Sequence, residues 1–256
     1  MKNLLIDIGN SVIKTAEGSR SNNLITKIRK KPYLKRDFKK EFSEFLISIN
    51  FKTEFNLIGV SSLNKSNNLF LRKSIKKHFG KESIFINNKI HLPIKIEYTS
   101  SIGNDRICNA VAADNLFPGK NILVIDFGTA TTYTLVSEKI LKGGIISPGI
   151  LTAFNSLKDK TSLKFSNISF PEKLIGQTTE DNIKSGIMNQ TLIFCEYVIN
   201  EIRKSHRGLK VIITGGFSEF MSNRSKLFDL TDRELVFKGV NLIIKYNENI
   251  NKRINN

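Results

Sequence analysis

Two aspartates in this chain end apolar runs and are followed at once by glycine turns. Asp126 closes the run Ile122 to Ile125 and leads into Phe127-Gly128-Thr129-Ala130-Thr131-Thr132. A branched apolar run of that length reads as a buried strand. The glycine lets the backbone turn tightly and approach a ligand, and threonine hydroxyls and turn N–H groups can face phosphate oxygens. A carboxylate among such donors suits a hydrated cation, because Mg²⁺ keeps water and takes one or two carboxylates. The same residues would also make an ordinary β-turn with a capping aspartate. A second copy weighs against that simpler reading: Ile6-Asp7-Ile8-Gly9-Asn10-Ser11 aligns without a gap on Ile125-Asp126-Phe127-Gly128-Thr129-Ala130. Solenoid repeats recur every ~20–50 residues, so copies this far apart point to a duplicated domain. Two such turns facing each other across a cleft would hold a nucleotide's phosphates from both sides.

A third group is Gly103-Asn104-Asp105-Arg106, at the entry of an apolar-periodic run from Ile107 to Phe117 that Pro118 stops. An acid in a first helical turn is routine, since the macrodipole favours it. An arginine there is not, and the Asp–Arg pair is better explained by a base beside an anionic ligand. Three further stretches are rich in turn residues. They are Gly143-Gly144-Ile145-Ile146-Ser147-Pro148-Gly149, Gly176-Gln177-Thr178-Thr179, and Thr214-Gly215-Gly216. The first reads as a hairpin end and a fixed loop, a backbone-lined wall for a small ligand. In the second, Thr178 or Thr179 can cap the following helix. The third lets an adenosine ring approach the backbone.

The elements that position these groups alternate. Strands are expected at Leu4–Ile8, Leu24–Ile28, Asn56–Val60, Phe85–Ile86, Ile94–Ile96, Ile122–Ile125, Ile140–Leu141 and Leu209–Thr214. Helical spacing covers Asp37–Ile49, Leu69–Phe79, Ile107–Phe117, Asp181–Lys204 and Lys238–Tyr246, with a polar tail from residue 247 expected to fray. This is an α/β chain. The repeat divides it into an N-terminal half, 1–118, and a C-terminal half, 119–256.

With 256 residues, 40% hydrophobic and 25% charged, the chain has the composition of a soluble globular protein. No apolar run approaches the ~18–20 residues that span a bilayer. Met1-Lys2-Asn3 runs directly into the first strand, so no signal peptide and a cytoplasmic location are expected. Two cysteines, Cys108 and Cys195, make no disulfide framework and read as reduced buried thiols. The net charge of +17 invites a nucleic-acid reading. The lysines are scattered, though, and no basic motif is interleaved with aromatics, so nucleic acid is not the expected partner. The charge can still draw in anionic substrates.

In order and spacing, the motifs at Asp7, Gly103, Asp126, Gly143 and Thr214 resemble those of the type III pantothenate kinase family, over Asp7 to about Gly239. The resemblance implies two duplicated ribonuclease-H-like (actin-like ATPase) halves around a nucleotide cleft, and a homodimer. It implies ATP-dependent phosphorylation of pantothenate to 4'-phosphopantothenate, the first step of coenzyme A biosynthesis, with Mg²⁺ and K⁺ or NH₄⁺. Carried over by position, Asp7, Ile8, Gly9, Asn10, Ser11, Val12, Ile13 and Lys14 resemble the first phosphate motif, and Thr129 matches a further ATP contact. Gly103, Asn104, Asp105 and Arg106 resemble the pantothenate motif, with Asp105 as the proton acceptor. Asp126 matches the monovalent-cation carboxylate. Thr179 matches a threonine that contacts pantothenate, often from the partner subunit. The chain departs from the pattern at three places. Ser11 replaces a threonine, Thr134 stands where an aspartate is common, and Ile96 occupies a position that is often tyrosine, with Tyr98 two residues on. Some relatives are named transcriptional accessory factors, so the second reading is a regulatory protein on the same scaffold.

Overall fold

The computed structural model describes residues 2–49, 54–98, 102–160 and 167–254. They pack as two compact units. The first holds the described residues up to Pro118, with Lys139–Leu141 and those from Glu234 onward; the second holds Gly119–Glu138 and Lys142–Arg233.

In the first unit, β1 (Lys2–Ile8) lies centrally, antiparallel to β2 (Val12–Ser19), which pairs with β3 (Ile25–Pro32). After α1 (Phe38–Ser48), β4 (Phe55–Ser62) joins the other side of β1 in parallel. Helix α2 (Asn68–Phe79) leads to the short β5 (Ile84–Phe85), completing the order β3-β2-β1-β4-β5. Successive side chains on a strand face opposite ways. Leu4, Ile6 and Ile8 therefore share one face, where they pack with Phe38, Phe42, Phe45 and Leu46 of α1 and Leu71 and Ile75 of α2. Leu5 and Asp7 take the other face. The short strand β6 (Lys95–Ile96) and helix α3 (Asn104–Leu116) follow.

In the second unit, β7 (Ile122–Phe127) pairs antiparallel with β8 (Ala130–Ser137), and β9 (Ile140–Pro148) follows beside β8. Then come α4 (Ile150–Lys160), α5 (Thr179–Ser205), and β10 (Lys210–Gly215), which joins β7 in parallel. A short α6 (Ser218–Ser222) precedes β11 (Leu230–Thr231) beside β10. The order β9-β8-β7-β10-β11 repeats that of the first unit strand for strand. The sequence duplication is thus a duplication of fold. Leu123, Ile125 and Phe127 face the core beneath α4 and α5, which leaves Asp126 on the opposite face, as Asp7 is in the first unit.

The last helix, α7 (Leu235–Ile254), ends the chain but packs in the first unit, on α3, β1 and β4. A Cβ at Gly59 of β4 would collide with Val240 and Ile244 of α7, and one at Gly239 would overlap the Cys108 carbonyl of α3. Backbone-to-helix approach this close requires glycine at both positions.

Two sequence expectations need correction. The 143–149 stretch is not a hairpin end: β9 runs through Gly143 and Gly144 to Pro148, since pairing beside β8 outweighs the weak strand preference of glycine. The start of β9 also pairs with β6, Lys95 opposite Ile140 and Ile96 opposite Leu141. The polar tail does not fray from residue 247, because α7 continues to Ile254, and Asn247 is itself buried, donating to the His91 and Ile243 carbonyls at 2.8 Å.

Candidate active site

In the first unit, Asp7 is buried at the end of β1, on one rung with Lys14 of β2 and Ser61 of β4. Lys14 Nζ lies 3.2 Å from Asp7 Oδ2. Gly9, Asn10 and Ser11 form the turn, with Asn10 and Ser11 exposed and the Gly9 N–H donating to the Val12 carbonyl at 3.1 Å. Ile8 and Ile13 stand opposite each other with their side chains in the core, and Val12 opens β2. The core-facing side chains of Ile8 and Ile13 leave only their backbone groups to meet a ligand, and Val12 is half-buried.

Helix α3 begins against the same strands. Asn104 is buried and donates from Nδ2 to the Ser62 carbonyl at 2.9 Å, tying the helix start to the strand end beside Asp7. Asp105 is half-buried, and its Oδ1 accepts the Arg106 N–H at 2.8 Å. That contact folds the carboxylate back over Gly103, where a Cβ would stand 2.5 Å from Oδ1. Any side chain at 103 would therefore push the Asp105 carboxylate out of this position. Arg106 is buried, with its guanidinium carbon 5.5 Å from the Tyr98 ring centroid, a cation–π contact that holds the charge in place. One turn on, the Cys108 thiol pKa is pushed well above its usual value, first by burial and then by the charges of Asp7 and Asp105. Both carboxylates thus act on the same buried point.

In the second unit, Asp126 shares a rung with Thr132 of β8 and Thr214 of β10, so two hydroxyl-bearing side chains flank its carboxylate on one face of the sheet. Gly215 turns away with φ +93°, and a Cβ there would meet the Asp126 carboxylate and the Phe127 backbone. The bare backbone at Gly215 serves the carboxylate itself, while a Cβ at Gly216 would make only an ordinary contact, 4.0 Å from the Phe127 carbonyl oxygen. Thr129 is exposed at the turn, and its carbonyl accepts the Thr152 hydroxyl at 2.5 Å and the Gly149 N–H at 3.1 Å. A side chain at Gly149 would run into the Gly128 and Thr129 carbonyls, so the glycine at the end of the 143–149 stretch braces this turn. Thr134 is buried opposite Val124. Of the two threonines before α5, Thr178 is the cap, accepting the Asp181 N–H at 3.1 Å, and Thr179 is the exposed first residue of the helix.

Ser61 and Ser62 join the Asp7 group, Ser61 on the Asp7 rung and Ser62 through its carbonyl, and their place at the end of a buried strand was a usable sequence signal. Thr152 carried none. Among the described residues no three His, Cys, Asp or Glu side chains gather to hold a metal. That donor set does not build an all-protein cage. It fits cations held by one carboxylate and completed by hydroxyls, water and phosphate oxygens.

The family model for type III pantothenate kinase matches residues 3–201. The chain belongs to the type III pantothenate kinase family. Several relatives bear that name, two of them aligned over nearly the whole chain. The protein of Petrotoga mobilis is 34% identical over 97% of this chain and 99% of its own length, and that of Christiangramia forsetii is 34% identical over 96% and 99%. Among solved structures, a conserved putative Baf family transcriptional activator from Campylobacter jejuni aligns with a TM-score of 0.62 at 22% identity, over 96% of this chain and 99% of that one. A putative N-acetylmannosamine kinase from Listeria monocytogenes aligns with a TM-score of 0.55 at 10% identity, over 97% and 100%. At such identities the likeness shows the fold alone, the duplicated actin-like ATPase and sugar-kinase fold. Membership in the pantothenate kinase family makes the chain an enzyme, a kinase acting on pantothenate in coenzyme A biosynthesis with ATP as co-substrate. No helix among the described residues is long and apolar enough to cross a membrane.

Proposed function

We propose that Asp105 is the general base of this pantothenate kinase and that Arg106 holds the substrate's carboxylate. The observation that carries the proposal is the bond from Asn104 to the Ser62 carbonyl, one residue beyond Asp7's rung, which seats the start of α3, and with it Asp105, at the strand ends that carry Asp7. The acceptor's primary hydroxyl gives its proton to the Asp105 carboxylate as its oxygen bonds to the γ-phosphorus of ATP. The bond from that phosphorus to the bridging oxygen breaks, and ADP leaves. Such transfer rests on positioning and charge neutralisation. The planar Arg106 fork fits a carboxylate through two parallel hydrogen bonds, and Tyr98, against which it rests, takes the role of the tyrosine that Ile96 replaces.

The turn Gly9 to Ser11, with Asp7, Lys14 and the backbone of Ile8, Val12 and Ile13, binds ATP phosphates, and Thr129 makes a further ATP contact. Mg²⁺ belongs with Asp7, and K⁺ or NH₄⁺ with Asp126, where Thr132 and Thr214 supply hard oxygen donors on the same rung. When bound, these cations neutralise phosphate and carboxylate charge. We also propose a cytoplasmic homodimer in which Thr179 reaches the partner's pantothenate. The exposed apolar side chains Ile193, Phe194 and Tyr197 farther along α5 support an interface there. The test is a coupled assay with ATP, Mg²⁺ and pantothenate, with and without potassium.

A further inference from the structure

We infer that Tyr33 is a positioning residue that sets the peptide planes of the Gly9–Ser11 phosphate turn, an inference that rests on the assignment of that turn to ATP. Tyr33 follows Pro32, the last residue of β3, which sits on the Val12 rung. It grips the turn twice. Its hydroxyl donates to the Gly9 carbonyl at 2.6 Å, and its backbone N–H donates to the Ser11 carbonyl at 3.0 Å. A trans peptide is planar, with its C=O and the following N–H pointing opposite ways. Holding the Gly9 carbonyl toward the tyrosine therefore aims the Asn10 N–H away from it. Holding the Ser11 carbonyl does the same for the Val12 N–H. One side chain and its own backbone thus fix two alternate peptide planes of a turn that has a glycine at its start and exposed side chains at Asn10 and Ser11.

The grip is rigid at its root. The Tyr33 ring is buried and packs on Phe38 with centroids 5.0 Å apart. Burial raises the phenol pKa, against a lowering hydrogen bond with Asn64, so at neutral pH the hydroxyl keeps the proton it donates. Backbone N–H groups fixed in advance bind phosphate without the cost of ordering them during binding. Without the hydroxyl, the Gly9–Asn10 peptide can rotate, because glycine tolerates both orientations.

The test uses the full chain and two variants, Tyr33→Phe and Phe38→Leu. The first removes one oxygen from the turn contact. The second loosens the packing around the ring and leaves the hydroxyl. Calorimetric titration gives the Kd for a non-hydrolysable ATP analogue with Mg²⁺ and, separately, for pantothenate; steady-state kinetics give both KM values; a melting curve gives Tm. For Tyr33→Phe the analogue Kd and the ATP KM should rise about fivefold to twentyfold, the scale of one hydrogen bond, with pantothenate binding within twofold of the unmutated protein. Phe38→Leu should lower Tm at least as much while raising the analogue Kd clearly less than Tyr33→Phe does. An unchanged analogue Kd in Tyr33→Phe overturns the inference. So does a loss of ATP and pantothenate binding that tracks Tm in both variants. If the unmutated protein binds the analogue but phosphorylates no pantothenate, the pantothenate reading fails and the Kd comparison still decides Tyr33. If it binds no analogue, both fall.

Discussion

Arg106 is a buried charge at a helix start, a place that costs stability unless something compensates. The Tyr98 ring accounts for part of that compensation, and on the proposed assignment the guanidinium fork also meets the substrate's carboxylate. Arg106→Lys keeps the charge but loses the planar fork. It should raise the pantothenate KM about tenfold or more while moving the ATP KM less than twofold, as read from initial rates with each substrate varied in turn. Equal shifts in both constants would count against a carboxylate clamp. The Asp105-Arg106 motif was conspicuous in the sequence because an arginine is out of place in a first helical turn. The way the Asp105 carboxylate folds back over Gly103 was not legible, since it is a side-chain conformation. Nor was Tyr33, a single tyrosine whose two partners lie across a turn twenty-odd residues earlier in the chain.

Helices α3 and α7 meet so closely that Gly239 lies against the Cys108 carbonyl, one turn beyond Asp105. Alanine in a helix interior is worth up to ~1 kcal/mol over glycine. Here the new methyl would press on backbone, which cannot rotate aside, and overpacking costs ~1–3 kcal/mol. The second effect should win. Gly239→Ala is expected to lower Tm by about 2–8 °C and to raise the pantothenate KM by shifting the start of α3. A melting curve and pantothenate saturation kinetics check this, and a raised Tm would contradict it. Central strands such as β7 were readable because their apolar runs are broken only by an aspartate, and α1 because it repeats phenylalanine at helical spacing, whereas β2, β8, β11, α4 and α6 gave no such pattern. Where reading failed, a tertiary contact overrode local preference. Glycines continue in β9 because β8 pairs with them, and polar residues continue α7 because Asn247 finds buried carbonyl partners.

At the scale of the whole molecule, the duplication was legible from two short matching segments, and the strand orders confirm it. The packing of α7 within the first unit was not, because sequence position does not say which sheet a terminal helix covers. The two copies have diverged in the rung they offer: Asp7 stands between lysine and serine, and Asp126 between two threonines. On the proposed assignment, the neutral threonine oxygens on the Asp126 rung suit a monovalent cation. Activity should therefore rise with potassium in a titration at constant total salt, with a bulky organic cation as the replacement. Asp126→Asn should flatten that response and lower the maximum. A flat response in the unmutated enzyme would remove the cation assignment and leave the kinase intact. The central claim, pantothenate phosphorylation with Asp105 as the base, is tested most directly by turnover with ATP, Mg²⁺, potassium and pantothenate for the unmutated protein and for Asp105→Asn, a variant of almost equal volume. The unmutated protein should form ADP and phosphorylated pantothenate in equal amounts. The variant should lose about 10²–10⁴-fold in kcat with its substrate Kd values nearly unchanged, and a variant with near-normal kcat would contradict the account.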